Sequence, residues 1–275
     1  MQRITSRTCQ ALHDIAGTRR IEQALAATLP AHTLMQRAGL AVARLAMAVA
    51  PHARVIWIAC GPGNNGGDGF EAAAQLQQRG FSPVLTFTGD EARLPEDARA
   101  SLQRARKSGI TLSATAPDEF DLAIDAMLGI GAKRAPQGVM AQWLQRMHAS
   151  RATVLSIDIP SGLDADTGVI GRAADTPAAY GAPTPSRYCL SLLTLKPGLF
   201  TAQGRDAAGE VWFDDLGAGA MDEPPVARIG GSARLPSRAH ASHKGSFGDV
   251  MVVGGAHGMA GAANDHDIAK AALVG

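Results

Sequence analysis

Short apolar runs alternate along the chain with longer segments in which apolar residues recur at helical spacing. Val55–Cys60 is an uninterrupted apolar run of strand length, and the alanine-rich segment 70–79 after it is typical of a helix. Further strands are predicted at Pro83–Thr88, Leu122–Asp125, Thr153–Ile157, Leu190–Leu195 and Val211–Phe213. Further helices are predicted at 8–27, 34–49 and 95–107, and in a segment that carries Val139, Trp143 and Met147 on one face. This alternation predicts an α/β protein with a doubly wound, mainly parallel sheet and helices on both faces.

The first of these strands runs into a glycine-rich stretch, Gly61–Gly69, with the sequence GPGNNGGDG. A helix start offers free N–H groups and a partial positive charge, and glycines let a ligand approach the backbone, so the stretch can hold a phosphate. Asn64, Asn65 and Asp68 add oxygen atoms that favour a cation or a hydroxylated ligand as well. Two other interpretations stay open: a tight turn without a ligand, and a dinucleotide-binding Gly-x-Gly-x-x-Gly motif with Asp90 as its ribose-binding acid.

Two more predicted strands end in acidic residues. Asp125 closes one strand and precedes a glycine-containing loop, 129–135, while Asp158 closes another strand and precedes Ser161. Each acid alone is equally consistent with a helix cap. Because the carboxyl ends of parallel strands meet at one edge of the sheet, the three polar strand ends together favour a ligand-binding site.

Composition excludes several classes of protein. The 275 residues carry a formal net charge of +1, and no aromatic side chains alternate with basic ones, so we expect no nucleic-acid partner. Cys9, Cys60 and Cys189 form neither a disulfide framework nor a zinc spacing, which favours a reducing compartment. No run of about 18 apolar residues is present, so we expect no membrane span and a cytoplasmic protein.

Four motifs give a more specific signal than the glycines alone. They are GPGNNGGDGF at 61–70, DAMLGIGAKR at 125–134, SIDIPSGLDADTG at 156–168 and LKPGLFTAQGRD at 195–206. In this order and spacing they resemble the NAD(P)H-hydrate epimerase family, the YjeF amino-terminal domain. The resemblance implies a Rossmann-like fold, usually dimeric. It also implies a substrate, NADH or NADPH whose nicotinamide ring has added water (NADHX and NADPHX), and an isomerase that interconverts the R and S forms of this hydrate.

The resemblance also assigns site residues. It implies one potassium ion per subunit, bound by Asn65, Asp125 and Ser161, and such oxygen donors suit an alkali cation. The substrate-binding residues that it implies are Asn64, Asn65, Gly66, Gly67, Asp68, Gly129, Ile130, Gly131, Ala132, Lys133, Arg134, Ala135 and Asp158.

Two of these assignments carry a chemical hypothesis. Lys133 and Arg134 face the dinucleotide phosphates, or they lie in a solvated loop; both interpretations remain open. Asp158, at a strand end beside the implied potassium ligands, is the candidate catalytic acid–base. A carboxyl group next to the hydroxyl of the hydrate can donate a proton and then recover it, which is worth about 10²- to 10⁴-fold in rate.

The sequence departs from the family pattern in two places. The segment 174–185, with three prolines and a glycine, predicts an irregular surface loop. Residues 243–262 resemble the start of the ribokinase-like, ADP-dependent NAD(P)H-hydrate dehydratase domain, but too few residues follow for a closed core. We therefore predict an epimerase domain at 1–220, a linker at 221–240 and an incomplete dehydratase fragment at 241–275. This division implies no dehydratase activity here and a separate NAD(P)H-hydrate dehydratase as functional partner.

Two rival functions remain. A Rossmann oxidoreductase that uses intact NAD is disfavoured because the asparagine pair and Asp68 are unexpected in a hydride-transfer turn. A binding module without turnover is disfavoured by the presence of Asn65, Asp125, Asp158 and Ser161. Fold resemblance alone does not choose among these functions.

Overall fold

The computed structural model describes residues 1–5, 9–132, 135–171, 186–219, 222–231 and 241. All of these except Ala241 belong to one compact unit, Met1–Ser232. Lys133, Arg134, the predicted loop 174–185 and nearly all of the predicted fragment 241–275 fall outside the described residues. Within the described ranges, no helix has the length and apolar character needed to cross a membrane.

The strands and helices alternate along most of the chain. The strands are β1 (Gln2–Arg3), β2 (Gln10–Leu12), β3 (Ile56–Cys60), β4 (Val84–Phe87), β5 (Leu112–Ser113), β6 (Leu122–Ala126), β7 (Thr153–Ile157), β8 (Arg187–Leu192), β9 (Glu210–Asp214) and β10 (Ala227–Ile229). The α-helices are α1 (Ile15–Ala26), α2 (Thr33–Val49), α3 (Asn64–Gln77), α4 (Glu96–Lys107), α5 (Val139–Ala149) and α6 (Gly204–Ala208).

Eight strands form one sheet in the order β1-β9-β8-β7-β6-β3-β4-β5. All neighbours in this sheet are parallel except β1, which pairs antiparallel with β9. The predicted α/β class with a doubly wound, mainly parallel sheet is therefore confirmed. Since β3 lies between β4 on one side and β6 on the other, the strand order reverses there. The carboxyl ends of strands at such a reversal are where open α/β sheets bind ligands.

The central strand β3 is apolar along its whole length because both of its faces are covered. Ile56, Ile58 and Cys60 pack into the core that contains the buried residues of α2, α3 and α4. Trp57 and Ala59 point to the opposite face, where they pack with buried residues of α5. A strand covered on both faces needs no polar positions, which explains its uninterrupted apolar sequence.

The amino-terminal region differs from the prediction of one helix over 8–27. Residues 10–12 form β2, and α1 begins only at Ile15 because the Asp14 carboxylate accepts the Gly17 N–H at 2.7 Å and caps the helix. β2 pairs antiparallel with β10, which lies inside the segment 221–240 that was predicted as a linker. Glu223 from this segment also bonds to Arg20 of α1, with 2.6 Å between Oε1 and Nη2. The predicted linker therefore packs on the domain at Glu223 and at β10.

The glycine-rich stretch also differs from its predicted form. Most of it is the start of α3, which runs from Asn64 after the N-cap Gly63, and not a turn before a helix. A Cβ atom on Gly66 would lie 2.0 Å from the carbonyl oxygen of Gly61. A Cβ atom on Gly67 would lie 2.6 Å from the Sδ atom of Met35. These glycines allow α3 to lie close to the end of β3 and to α2, so their first role is packing.

We predict that Gly66→Ala lowers the free energy of unfolding by about 1–3 kcal/mol, the usual cost of forcing an extra methyl group into a packed position. Gly63→Ala is the matched control because nothing lies within 4 Å of a Cβ atom there. Gly63→Ala should lower the free energy of unfolding by less than about 1 kcal/mol, the scale of a helix-cap effect. Urea denaturation of both variants checks this, and equal losses would contradict the packing role.

Candidate active site

A cavity of about 620 Å³ lies at the carboxyl ends of the central strands. Its walls come from α1, the start of α2, the start of α3, the loop after β6 and the ends of β7 and β8. Eight of the predicted substrate-binding residues line it: Asn64, Asn65, Asp68, Gly129, Ile130, Gly131, Ala132 and Asp158. The cavity therefore receives residues from three of the predicted places: the start of α3, the loop that follows Asp125, and Asp158.

Lys133 and Arg134 lie outside the described residues, and the other predicted residues do not line this cavity. Gly66 and Gly67 are buried within α3. Ala135 lies against Gly171, because a Cβ atom added to Gly171 would be 3.2 Å from the Ala135 backbone nitrogen. Asp125 and Ser161 are fully buried and also absent from the cavity lining.

Asp158 occupies a strained backbone position and forms a buried ion pair. Its φ of 67° lies in the left-handed region, which non-glycine residues rarely adopt. Its N–H donates to the carbonyl of Leu190 at 2.8 Å, and its Oδ1 accepts the N–H of Leu192 at 3.2 Å. The ammonium group of Lys196, which has no exposed surface, donates to the same Oδ1 and to the Leu192 carbonyl at 2.7 Å. These contacts fix the Asp158 carboxylate at the cavity wall.

Sequence reasoning missed Lys196 as a site residue, although a signal was present. Lys196 directly follows the apolar run Leu190–Leu195, so it was placed to be buried. A buried ammonium group needs an acidic partner and further acceptors. The acids that end neighbouring strands were candidate partners, and the structure pairs Lys196 with Asp158. The cavity-lining residues Arg19 and Glu22 of α1 were also missed, and nothing in the sequence of that helix distinguishes them.

Two of the other carboxyl groups that line the cavity, those of Asp68 and Glu22, have raised pKa values. Desolvation raises the pKa of Asp68 well above its usual value, and the nearby carboxylates of Asp158 and Glu22 raise it further. Desolvation also raises the pKa of Glu22, with Asp158 adding to the shift. Both groups therefore hold a proton at a higher pH than exposed carboxyl groups do. The cavity thus combines an ion-paired carboxylate with carboxyl groups that favour the protonated form.

Asp125 and Ser161 form a compact hydrogen-bonded unit behind the cavity wall. The Ser161 Oγ donates to Asp125 Oδ1 at 2.5 Å, and the Ser161 N–H donates to Asp125 Oδ2 at 2.9 Å. The Leu128 N–H donates to Ser161 Oγ at 2.9 Å, which ties this unit to the loop that lines the cavity. Burial raises the pKa of Asp125, and no described lysine or arginine pairs with it.

Asn65 completes the set of residues assigned to potassium. It is 8% exposed, and its amide nitrogen has no hydrogen-bond partner among the described residues. A Cβ atom on Gly129 would lie 3.3 Å from the Asn65 Cβ, so Asn65 adjoins the loop that Leu128 ties to Ser161. The described part of the chain contains no cluster of three or more His, Cys, Asp or Glu side chains suited to a metal ion. One carboxylate, one amide and one hydroxyl differ from the donor set of a transition metal and suit a monovalent cation.

Comparison with known proteins places the chain in a family. The family model "YjeF-related protein N-terminus" matches residues 31–198, which is more than half of the chain. The chain therefore belongs to the YjeF-related protein N-terminus family, as its motifs predicted.

The chain is also similar to curated proteins. The chain is 37% identical over 214 residues to the NAD(P)H-hydrate epimerase of Bordetella pertussis (strain Tohama I), covering 70% of this chain and 93% of the relative. It is 34% identical over 255 residues to the bifunctional NAD(P)H-hydrate repair enzyme Nnr of Escherichia coli (strain K12), covering 90% of this chain and 47% of the relative. The chain spans about half the length of the bifunctional relatives that it matches.

A solved structure has the same fold. The crystal structure of the yeast protein ynu0 superposes with a TM-score of 0.59 over 74% of this chain and 86% of that one. The sequences are 19% identical, so this comparison supports the fold only.

Proposed function

We propose that the protein is an NAD(P)H-hydrate epimerase, an isomerase that interconverts the R and S forms of hydrated NADH and NADPH. The observation that carries the proposal is the fixed Asp158 carboxylate, which faces a cavity shared with Asn64, Asn65 and the loop Gly129–Ala132. The relative from Bordetella pertussis, of which this chain covers 93%, is named NAD(P)H-hydrate epimerase and supports the same reaction.

The chemistry of the hydrate defines what the site must do. Its hydroxyl group sits on a carbon beside the ring nitrogen, as in a hemiaminal. When that hydroxyl is protonated, the nitrogen lone pair expels water and a planar iminium forms. Water then returns to either face and releases a proton. The reaction therefore needs a proton carrier beside the hydroxyl and negative charge near the transient cation.

Asp158 is the residue that we propose for this role. Its carboxylate stabilises the iminium electrostatically and exchanges the proton with the hydroxyl or the water. We do not assign Lys196 as a second proton donor, because its ammonium group donates to Asp158 and to the Leu192 carbonyl. The role of Lys196 is to position the Asp158 carboxylate. Asp68 faces the same cavity, and its raised pKa makes it a second group able to hold the proton.

The direct test supplies one purified epimer of NADHX and follows the other by chiral-phase chromatography or NMR. The wild-type protein should bring the two epimers to equilibrium faster than buffer alone. Asp158→Asn should slow the reaction by about 10²- to 10⁴-fold, the usual worth of a positioned acid–base group. Asp118→Asn is the matched control because Asp118 is fully exposed and does not line the cavity.

Each failure of this test has a distinct meaning. If Asp158→Asn folds and epimerises the hydrate as fast as the wild type, the assigned role of Asp158 is wrong. If the wild-type protein binds the hydrate without turnover, the chain is a binding module. If it oxidises or reduces intact NADH with carbonyl substrates instead, it is an oxidoreductase.

The potassium site is part of the proposal, and the residues present fit it. Asp125 is a fully buried carboxylate without a basic side chain beside it in the described structure, so a bound cation would compensate its charge. Ser161 supplies a hydroxyl oxygen, and rotation of the Asn65 amide by 180° presents its oxygen in place of the unpartnered nitrogen. Bound potassium would hold the end of β6 and the loop after it at the substrate cavity.

We predict that potassium chloride raises the melting temperature more than choline chloride of the same ionic strength, because a ligand of the folded state stabilises it. Ser161→Ala should lose this difference, while Ser113→Ala, which removes a hydroxyl at the end of β5 and outside the cavity, should keep it. Differential scanning calorimetry checks both variants. Equal melting temperatures of the wild-type protein in the two salts would contradict a potassium site.

Two further features remain proposals that rest on the family. One is a homodimer, and the other is a separate NAD(P)H-hydrate dehydratase that consumes one epimer of the hydrate. Sedimentation of the purified protein tests the first. A coupled assay tests the dehydratase partner: added dehydratase should consume both epimers only when this protein is present.

A further inference from the structure

The charges on the cavity wall are unbalanced for an anionic substrate. Four acidic side chains line the cavity: Glu22, Asp68, Asp97 and Asp158. Three basic side chains line the cavity, and two of them already have acidic partners: Lys196 pairs with Asp158, and His32 pairs with Asp97. A dinucleotide carries at least two negative charges on its pyrophosphate, so it needs a cation that is still available.

Arg19 of α1 is the available cation among the described residues of the wall. Its side chain is exposed, and the described structure gives it no hydrogen bond and no ion pair. Glu22, one turn further along α1, lies close enough to influence it electrostatically but makes no ion pair with it. Burial and Asp158 raise the pKa of Glu22, which disfavours the charged carboxylate that would pair with Arg19.

The position of Arg19 places its charge over the glycine loop. The Nη2 atom lies 3.7 Å from the point that a Cβ atom on Gly131 would occupy. Thr18 and Glu22 from the same helix also line the cavity, so this face of α1 forms one wall of it. An oxyanion that lies along the loop Gly129–Ala132 would therefore meet the guanidinium group.

We propose that Arg19 binds the pyrophosphate of the hydrated dinucleotide and so places its nicotinamide end at Asp158. This inference rests on the proposed epimerase function. A guanidinium group suits the role because it can bind two phosphate oxygens at once and stays charged at every physiological pH. Helix α1 then acts as a substrate-binding wall in addition to its packing role.

The test compares Arg19→Met with Arg20→Met. Arg20 is the next residue on α1, but it lies outside the cavity lining and bonds to Glu223. With NADHX as substrate, Arg19→Met should raise KM by about 10- to 100-fold, the range for loss of a charge-assisted hydrogen bond. Its kcat should stay within about twofold, and Arg20→Met should keep both constants. Arg19→Lys should recover part of the loss, since it restores the charge but not the paired contact.

A second measurement removes the nicotinamide from the comparison. ADP-ribose carries the pyrophosphate without the reacting ring, and calorimetry should show weaker ADP-ribose binding by Arg19→Met than by Arg20→Met. If the wild-type protein epimerises NADHX and Arg19→Met keeps its KM and its ADP-ribose affinity, the inference is wrong and the phosphates are bound elsewhere. A loss confined to kcat would also overturn it. If the wild-type protein neither epimerises NADHX nor binds ADP-ribose, the proposed function itself fails.

Discussion

The contact on which the rest of the site depends is the buried ion pair between Asp158 and Lys196. A carboxylate at a strand end could turn towards solvent, and a left-handed backbone at a non-glycine residue adds strain. Lys196 offsets this strain because its fully buried ammonium group needs an acidic partner, and Asp158 is the acid that pairs with it in the described structure. The pair therefore fixes where negative charge faces the cavity, and with it the place where a cationic intermediate is stabilised.

The sheet brings the other groups to this point. The reversal of strand order at β3 opens the carboxyl edge of the sheet between β3 and β6. The glycines of α3 let the helix start lie against the end of β3, which places Asn64 and Asn65 on the cavity wall. Behind that wall, the hydrogen bond from Leu128 to Ser161 ties the loop after β6 to buried Asp125. Packing, backbone geometry and buried charge therefore act together to shape one cavity.

The sequence predicted the parts of this arrangement that depend on local pattern. Apolar runs such as 55–60 and 153–157 identified the parallel strands, and the polar residues after them identified the cavity edge, because strand direction alone brings these ends together. The pattern failed at β2, where a short strand precedes a capped helix, and at β10, where three residues pair across a long sequence separation. Such edge pairings leave little trace in local periodicity.

Ion pairs between residues far apart in the sequence also could not be predicted from local sequence pattern. Lys196 could be recognised as buried, but its partner depends on how the ends of β7 and β8 meet in space. Arg19 and Glu22 became site residues only because α1 lies across the open edge of the sheet. The roles of these residues follow from tertiary structure, whereas the glycine and asparagine motif could be recognised from the sequence.

A double-mutant cycle on Asp158 and Lys196 tests the central claim most directly. Lys196→Met alone should lower the free energy of unfolding by about 1–3 kcal/mol, because it leaves the Asp158 carboxylate, whose side chain is 14% exposed, without its partner. Adding Asp158→Asn should recover a large part of this loss, so that the two changes are strongly non-additive. Losses that add to within about 0.5 kcal/mol would show that the two side chains act independently and would contradict the account.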